Sequence, residues 1–440
     1  MRGIVLTRYT LVLRFVLLSV VLAMGAGCDP TNKSHKSAEI RLLNVSTGYD
    51  SLDVLADDEN DDDGDSTQLQ AVAYGTVSDY AKFDSGTYTL KFKRNGVTGT
   101  LRTISSAKLP DDSRTTYIAY GSSGNFAVTS IDEDADDPAD GKTLVRVFNA
   151  AEGVGTLNVY FTDASDSLEN VSPDFSAVGG SSATLDSGTY RLRVTGSGDT
   201  DDIRLDIPEI TLPDGGIVSL IFTSSQGGVL VNAVMLPHEG ELTTITNPRA
   251  RVRGAVGISS GALTTIRVGG STLFSNATTG AIGSKYVQVN AGSAAVTLSV
   301  DGNLIDTPAQ TLVAGGDYTL LAWNDANGTH TTLISDDNRL PSSAGNVKLR
   351  LINGMSAFGD PISLAIDYSP IAEGVTLGQA SAFASVDSGT DLQLDVTSAL
   401  TATNVLSKTS VTLVGSGVYT LFMAGGAGSS QVSGILRKDR

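Results

Sequence analysis

The sequence predicts an all-β chain, four tandem Ig-like antiparallel β-sandwich domains following a lipoprotein signal peptide. Three observations predict it. Apolar residues alternate with period two, as in Tyr88, Leu90 and Phe92 or Tyr190, Leu192 and Val194, and no window carries a helical period. A strand-turn-strand phrase recurs about every hundred residues, as Asp84-Ser85-Gly86-Thr87, Asp186-Ser187-Gly188-Thr189, Asn290-Ala291-Gly292-Ser293 and Asp387-Ser388-Gly389-Thr390. The lone cysteine, Cys28, follows directly on an N-terminal apolar run.

Residues 1–27 read as a secretory signal. Arg2, Arg8 and Arg14 give positive charge, an apolar run extends from Phe15 to Met24, and Gly25-Ala26-Gly27 leads into Cys28. Cys28 stands where bacterial lipoproteins carry the acylated cysteine, so it is the expected lipidation site and the expected link to a membrane. Two or more acyl chains would make that anchor stable. With Cys28 so used, no intramolecular disulfide is available, and each domain must rest on its apolar core.

Residues 28–38 are polar and aperiodic and suit a tether. Repeat 1 is expected over 39–131, repeat 2 over 142–237, repeat 3 over 248–336 and repeat 4 over 346–440. The segments 132–141 and 337–345 are rich in Asp, Pro or Ser, above all Asp132–Gly141, where charge repulsion favours an extended spacer, and His238–Asn247 lies between repeats 2 and 3. A period this long gives each unit enough residues to close its own core, so independent beads on a string are expected rather than a stacked solenoid. Two further markers support the count. Each unit opens on a strand such as Ile40-Arg41-Leu42-Leu43-Asn44, Val145-Arg146-Val147-Phe148-Asn149, Ala250-Arg251-Val252-Arg253-Gly254 or Leu349-Arg350-Leu351-Ile352-Asn353, and each closes near Tyr117, Val218, Tyr318 or Tyr419.

In the turn phrase, Asp or Asn closes an Asx-turn and Gly86, Gly188, Gly292 or Gly389 supplies positive φ, which predicts hairpin-like connectors. In repeat 4 the apolar set Leu392, Leu394, Val396 falls one residue out of register with repeats 1 and 2, so a bulge is expected there.

Together the opening strand, the strands Leu52-Asp53-Val54 and Leu157-Asn158-Val159-Tyr160, the Gly-Thr-Tyr strand and the closing Tyr-Thr-Leu strand resemble the bacterial envelope family called domain of unknown function 4397. All four units fit, repeats 1 and 2 best; repeat 3 departs most, with Gly254 in place of the strand-end Asn. The resemblance implies a secreted or lipid-anchored β-sandwich array and brings no catalytic or binding residues with it.

Charge limits the partners. The chain carries 30 basic and 48 acidic residues, and removing residues 1–27 takes away three arginines and no acid. Nucleic acid is excluded as a natural partner. The acidic loop holding Glu59, Asp61, Asp63 and Asp65 has the carboxylate spacing a hard cation needs, which makes calcium the one cofactor to consider, although Gln70 stands where a bidentate Glu would belong in an EF-hand and the flanks are strands. Its other reading is a solvated insertion.

The pattern Gly257-Ile258-Ser259-Ser260-Gly261 copies the letters of a nucleophile elbow without its strand-to-helix setting and reads as a connector. Only His35, His238 and His330 are present, so no catalytic function is expected. Arg41, Arg146, Arg251 and Arg350, at one place in each opening strand, either pair with carboxylates of neighbouring strands or linkers or present cations to an acidic glycan. Trp323 either packs or offers a stacking platform for a sugar. The expected function is a lipid-anchored envelope protein, at the outer membrane or cell surface rather than the inner membrane, whose sandwich array binds an extracellular glycan or protein ligand or serves as a spacer; the alternative is a calcium- or ligand-binding lipoprotein using the acidic loop.

Overall fold

The computed structural model describes residues 36–59, 66–177, 179–258, 261–426 and 432–440. The described residues are all-β. In the first unit the strands are β1 (Ser37–Asn44), β2 (Ser51–Asp58), β3 (Ser66–Ala73), β4 (Thr76–Val77), β5 (Ala81–Asp84), β6 (Gly86–Arg94), β7 (Thr100–Leu109), β8 (Arg114–Tyr120) and β9 (Ala127–Asp132). They form two sheets. One carries β1 at its centre, with β4 and β5 on one side and β8 then β9 on the other; its companion runs β3-β2-β6-β7. The same plan returns around the opening strands Lys142–Asn149, Arg249–Val256 and Asn346–Ala357.

Between the two sheets of each unit lies one apolar cluster, built in the first unit from residues such as Ile40, Leu42, Leu52, Val54, Leu90 and Phe92. Three comparable clusters fill the later sheet pairs. Each fully buried side chain of this size contributes about 1.5–3 kcal/mol.

The sheets are not wholly antiparallel. β1 pairs antiparallel with β5 but parallel with β8, Arg41 lying beside Thr116. The later opening strands repeat this, with Arg146 beside Ser219, Arg253 beside Thr319 and Arg350 beside Thr420.

The turn phrases prove to be corners rather than hairpins. β5 belongs to one sheet and β6 to the other, so Asp84-Ser85-Gly86 carries the chain across the sandwich edge. The crossing is pinned to the unit's entrance: the N–H groups of Ser85, Ser187, Ala291 and Ser388 donate to the carbonyls of Lys36, Gly141, Pro248 and Gly345. Tyr88 and Tyr190 close the corner by donating their hydroxyls to the carbonyls of Asp84 and Asp186, at 2.9 and 3.0 Å. Positive φ is used at Gly188 (150°) and Gly292 (104°) but not at Gly86 or Gly389. There the constraint is space, since a Cβ would stand 3.3 Å from the Tyr88 ring and 3.1 Å from Leu392. The loop before Val218 is a second corner, joining Ile203–Leu212 in one sheet to Gly216–Ser224 in the other. The bulge expected in repeat 4 is present, with shifted pairing at Leu392 and φ of +57° at Asp391.

The larger difference is between units. β1, β8 and their counterparts are buried on both faces, except that the outward residues of Lys142–Asn149 are half-buried. Leu43 and Ile118, on the outward face of the first unit, pack with Ala150, Ile221, Val234 and Leu236 of the second. Ala255 and Leu321 of the third pack with Ile352, Phe422 and Ala424 of the fourth. The units therefore stack sheet against sheet in two pairs, and independent beads are not what forms. Nor are the intervening segments plain spacers: Thr243–Ile245 adds a strand to the second unit, and Asn247, 2% exposed, donates from its amide to the carbonyl of Arg204.

Candidate functional site

Where the paired sheets meet, an arginine lies on the outward face of each opening strand. In the first unit Arg41 donates from Nε to Thr116 Oγ1 at 2.8 Å and from Nη2 to Glu133 Oε1 at 2.8 Å, and its guanidinium lies 4.7 Å from the centre of the Tyr80 ring. Thr116 and Tyr80 both donate to Glu133 as well. The constellation is thus an arginine, a hydroxyl on the parallel neighbour, a carboxylate two residues beyond that hydroxyl residue's partner on the final strand, and an aromatic ring across the antiparallel neighbour.

In units three and four the same parts are exchanged between partners. Arg253 donates from Nε to Thr319 at 2.9 Å within its own unit and from Nη1 and Nη2 to Asp439 of the fourth. Arg350 donates to Thr420 at 3.1 Å within its own unit and to Asp336 of the third at 2.6 Å. Thr319 and Thr420 bond Asp336 and Asp439, and Tyr286 and Phe383 cover the two guanidinium groups at 4.9 and 4.6 Å. Arg253, Arg350, Asp336 and Asp439 have side chains no more than 1% exposed. Charges so placed survive because each is paired and hydrogen-bonded.

Burial works to raise the Asp336 carboxyl, but Arg350 and Arg253 outweigh it and hold it below the usual range. Glu133 is held low in the same way, burial being outweighed by hydrogen bonds from Thr116, Tyr80 and Arg41.

The second unit keeps the arginine and loses the rest. Arg146 faces Ser219 on the parallel side and Ser182 on the antiparallel side, where the other units place Thr and an aromatic ring. His238 occupies the carboxylate position, two beyond Leu236, the partner of Ser219. Among the described residues nothing bonds the Arg146 guanidinium or the hydroxyls of Ser182 and Ser219. A cleft of about 370 Å³ opens over them, walled by Ile118, Ile131 and Phe148 and rimmed by Asp132.

Of the residues singled out from sequence, Cys28, Asp61, Asp63 and Asp65 lie outside the described residues, as do Ser259 and Ser260. The Glu59 carboxylate turns onto β6 and β7, accepting from Thr89 Oγ1 and the Ser106 N–H, both at 2.9 Å, and these bonds lower its pKa. The arginine row divides: Arg41 and Arg350 pair with carboxylates, and Arg146 does not. Arg253, not Arg251, holds the third place. Arg251 instead bonds Asp317 at 2.7 Å and Asp202 of the second unit at 3.0 Å. Correspondingly Val256 takes the strand-end Asn position, its successor donating to Ala322 as Val45 does to Ala119. Trp323 packs at the interface of units three and four and donates from Nε1 to Thr332 at 2.9 Å.

Sequence reasoning expected carboxylate partners for Arg41 and Arg350 without identifying Glu133 or Asp336, and it missed the covering ring. A signal for the ring existed, because Tyr80, Ser182, Tyr286 and Phe383 each stand four residues before the Asp or Asn of the turn phrase.

A family model described as Domain of unknown function (DUF4397) matches residues 38–160 and 250–361. No curated protein matches. Similar solved structures include a carbohydrate-binding module of family CBM26 from Eubacterium rectale Amy13K in complex with maltoheptaose, 14% identical, with a TM-score of 0.16, covering 45% of this chain and 96% of that one. The Bacillus anthracis TIE protein is 10% identical, with a TM-score of 0.14, covering 65% of this chain and 50% of that one. Scores this low carry no argument about architecture or ligand.

Proposed function

Since the chain belongs to the family described as Domain of unknown function (DUF4397), we propose from its own architecture that it is a non-catalytic, lipid-anchored protein of the bacterial envelope whose sandwiches form a stiff interaction module. The observation that supports this most is the exchange of arginines and aspartates between the third and fourth units. A spacer of free beads has no use for buried, reciprocal ion pairs, whereas a surface that must keep one shape does. The pairs are also joined to each other: Arg440 donates to the Gly153 carbonyl at 2.9 Å, and the Leu340 N–H to the same oxygen at 2.8 Å.

Lipid at Cys28 and the residues that precede β1, which begins at Ser37 and so shortens the expected tether of 28–38, would hold this body near a membrane, while its acidity keeps it off anionic headgroups. The reading predicts that Cys28→Ala moves the protein from the detergent-rich to the aqueous phase and abolishes fatty-acid labelling. It also predicts that the folded body resists limited proteolysis within 132–141 and 238–247. Rapid cleavage at those two segments, releasing intact single units, would sink the stiff module; unchanged membrane partitioning of the Cys28 variant would sink the anchor.

A further inference from the structure

We propose that the cleft over Arg146 is a binding site for an acidic sugar residue, a polyhydroxylated ring that carries a carboxylate. The argument starts from what the other three units put in the same place. Arg41, Arg253 and Arg350 each receive a carboxylate from the chain and lie against an aromatic ring. At Arg146 the ring is replaced by Ser182 and the carboxylate position by His238, so the guanidinium keeps its setting and lacks the two groups that close it.

Arginine presents a planar fork matched to a carboxylate. Ser219, 6% exposed, stands beside it with its hydroxyl unbonded among the described residues. In the first unit the corresponding hydroxyl, Thr116 Oγ1, donates to the Glu133 carboxylate that Arg41 also holds. An incoming carboxylate on Arg146 therefore finds a second donor already in position.

The remainder of the cleft selects among carboxylates. Ser182, Ser219 and Thr129 line it with hydroxyls, and Ile118, Ile131 and Phe148 give it an apolar wall. Hydroxyls opposite an apolar wall match a sugar ring, whose hydroxyls lie around its edge and whose C–H groups form its faces. The volume, about 370 Å³, suits one such residue. Asp132 on the rim forms no ion pair with Arg146 among the described residues, and it disfavours ligands with more than one negative charge.

The test is calorimetric titration of the full chain in detergent with glucuronate, with glucose and a Glu-containing dipeptide as comparison ligands. Saturable glucuronate binding is expected. Arg146→Gln should weaken it at least about tenfold, corresponding to about 1.4 kcal/mol, and so should Ser182→Tyr, which fills the cleft without removing the charge. Glucose should bind at least about tenfold more weakly than glucuronate. Neither variant should unfold more easily than the parent, because neither side chain bonds a partner among the described residues. The proposal is overturned if glucuronate shows no saturable binding, if either variant binds it as the parent does, or if glucose matches it. Preferential binding of the dipeptide through Arg146 would overturn the sugar assignment in favour of an acidic peptide. None of these outcomes depends on membrane anchoring, so the proposal and the reading of an envelope module fail separately.

Discussion

The interface between the third and fourth units and the interface between the first and second use one design with different completeness. In the former, two arginines, two threonines and two aspartates interlock across a pseudo-twofold relation, each arginine taking its carboxylate from the opposite unit. In the latter only one half is complete. Glu133, one methylene longer than Asp336, serves Arg41 of its own unit, and among the described residues Arg41 hydrogen-bonds the second unit only through the Gly240 carbonyl, at 3.1 Å. The other half holds Arg146, Ser219 and His238, whose buried Nδ1 has no partner among the described residues. A closed clasp fixes how two sandwiches sit; an open half leaves a place for something from outside. The apolar packing is similar on both sides, so stability can be held by contacts such as Ile221 and Leu236 while the polar half is freed for binding.

Breaking the closed clasp should have the largest effect. Asp336→Asn removes the charge that faces Arg350 at 2.6 Å and Arg253 at 3.8 Å, leaving two buried cations short of a partner. Loss of about 3–5 kcal/mol is expected, read as a shift in the denaturation midpoint. A change below about 1 kcal/mol would show that the clasp contributes geometry without stability.

Acid should attack the same groups. The Asp336 and Glu133 carboxyls are held below their usual range in the folded protein. Their contribution is therefore complete above the unfolded carboxylate range, about pH 4, and is lost as pH falls through the lower folded values. The melting temperature should be flat from pH 7 to about 5 and fall below about 4, and Asp336→Asn should fall less steeply because one such group is gone. A parallel decline of parent and variant would assign acid lability to other carboxylates.

Much of the fold was legible. Period-two alternation marked strands such as β6, and the recurring turn phrase marked units, because both are local properties of the chain. Two non-alternating runs, Leu42-Leu43 and Ile217–Phe222, also carried a readable sign that both strand faces are covered, since a half-exposed strand would place polar residues at alternate positions. What covers them was not readable, because the partner sheet is a different unit. Glu133 could not be told from Asp134 or Asp136 in its acidic run, as burial there is decided by the distant Arg41. The choice between Arg251 and Arg253 failed for a related reason: a shift of two residues keeps the same face, so alternation gives no warning.

Completing the open half should sharpen the comparison in the other direction. Ser182→Tyr places a ring opposite Arg146 as Tyr80 lies opposite Arg41, with an expected gain of about 0.5–1 kcal/mol from the cation–π contact. A small rise in melting temperature together with loss of glucuronate binding would show that the second unit differs from its neighbours by this vacancy. A fall would mean that the cleft has no room for the ring.

The smallest effect is expected at the arginine itself. Arg146→Gln should change stability by no more than about 0.5 kcal/mol, the range of ordinary surface substitutions, because the guanidinium holds no partner among the described residues. Its counterpart Arg350 bonds Thr420, Asp336 and the Ser335 carbonyl, and Arg350→Gln leaves Asp336 buried with a weakened set of donors. The same substitution at equivalent positions thus separates the two roles. If both variants lose several kcal/mol, Arg146 is a structural cation like the rest and the second unit is closed in solution. If only Arg350→Gln does, the arginine of the second unit has been released from the fold, and its charge is available to a ligand at little cost to stability.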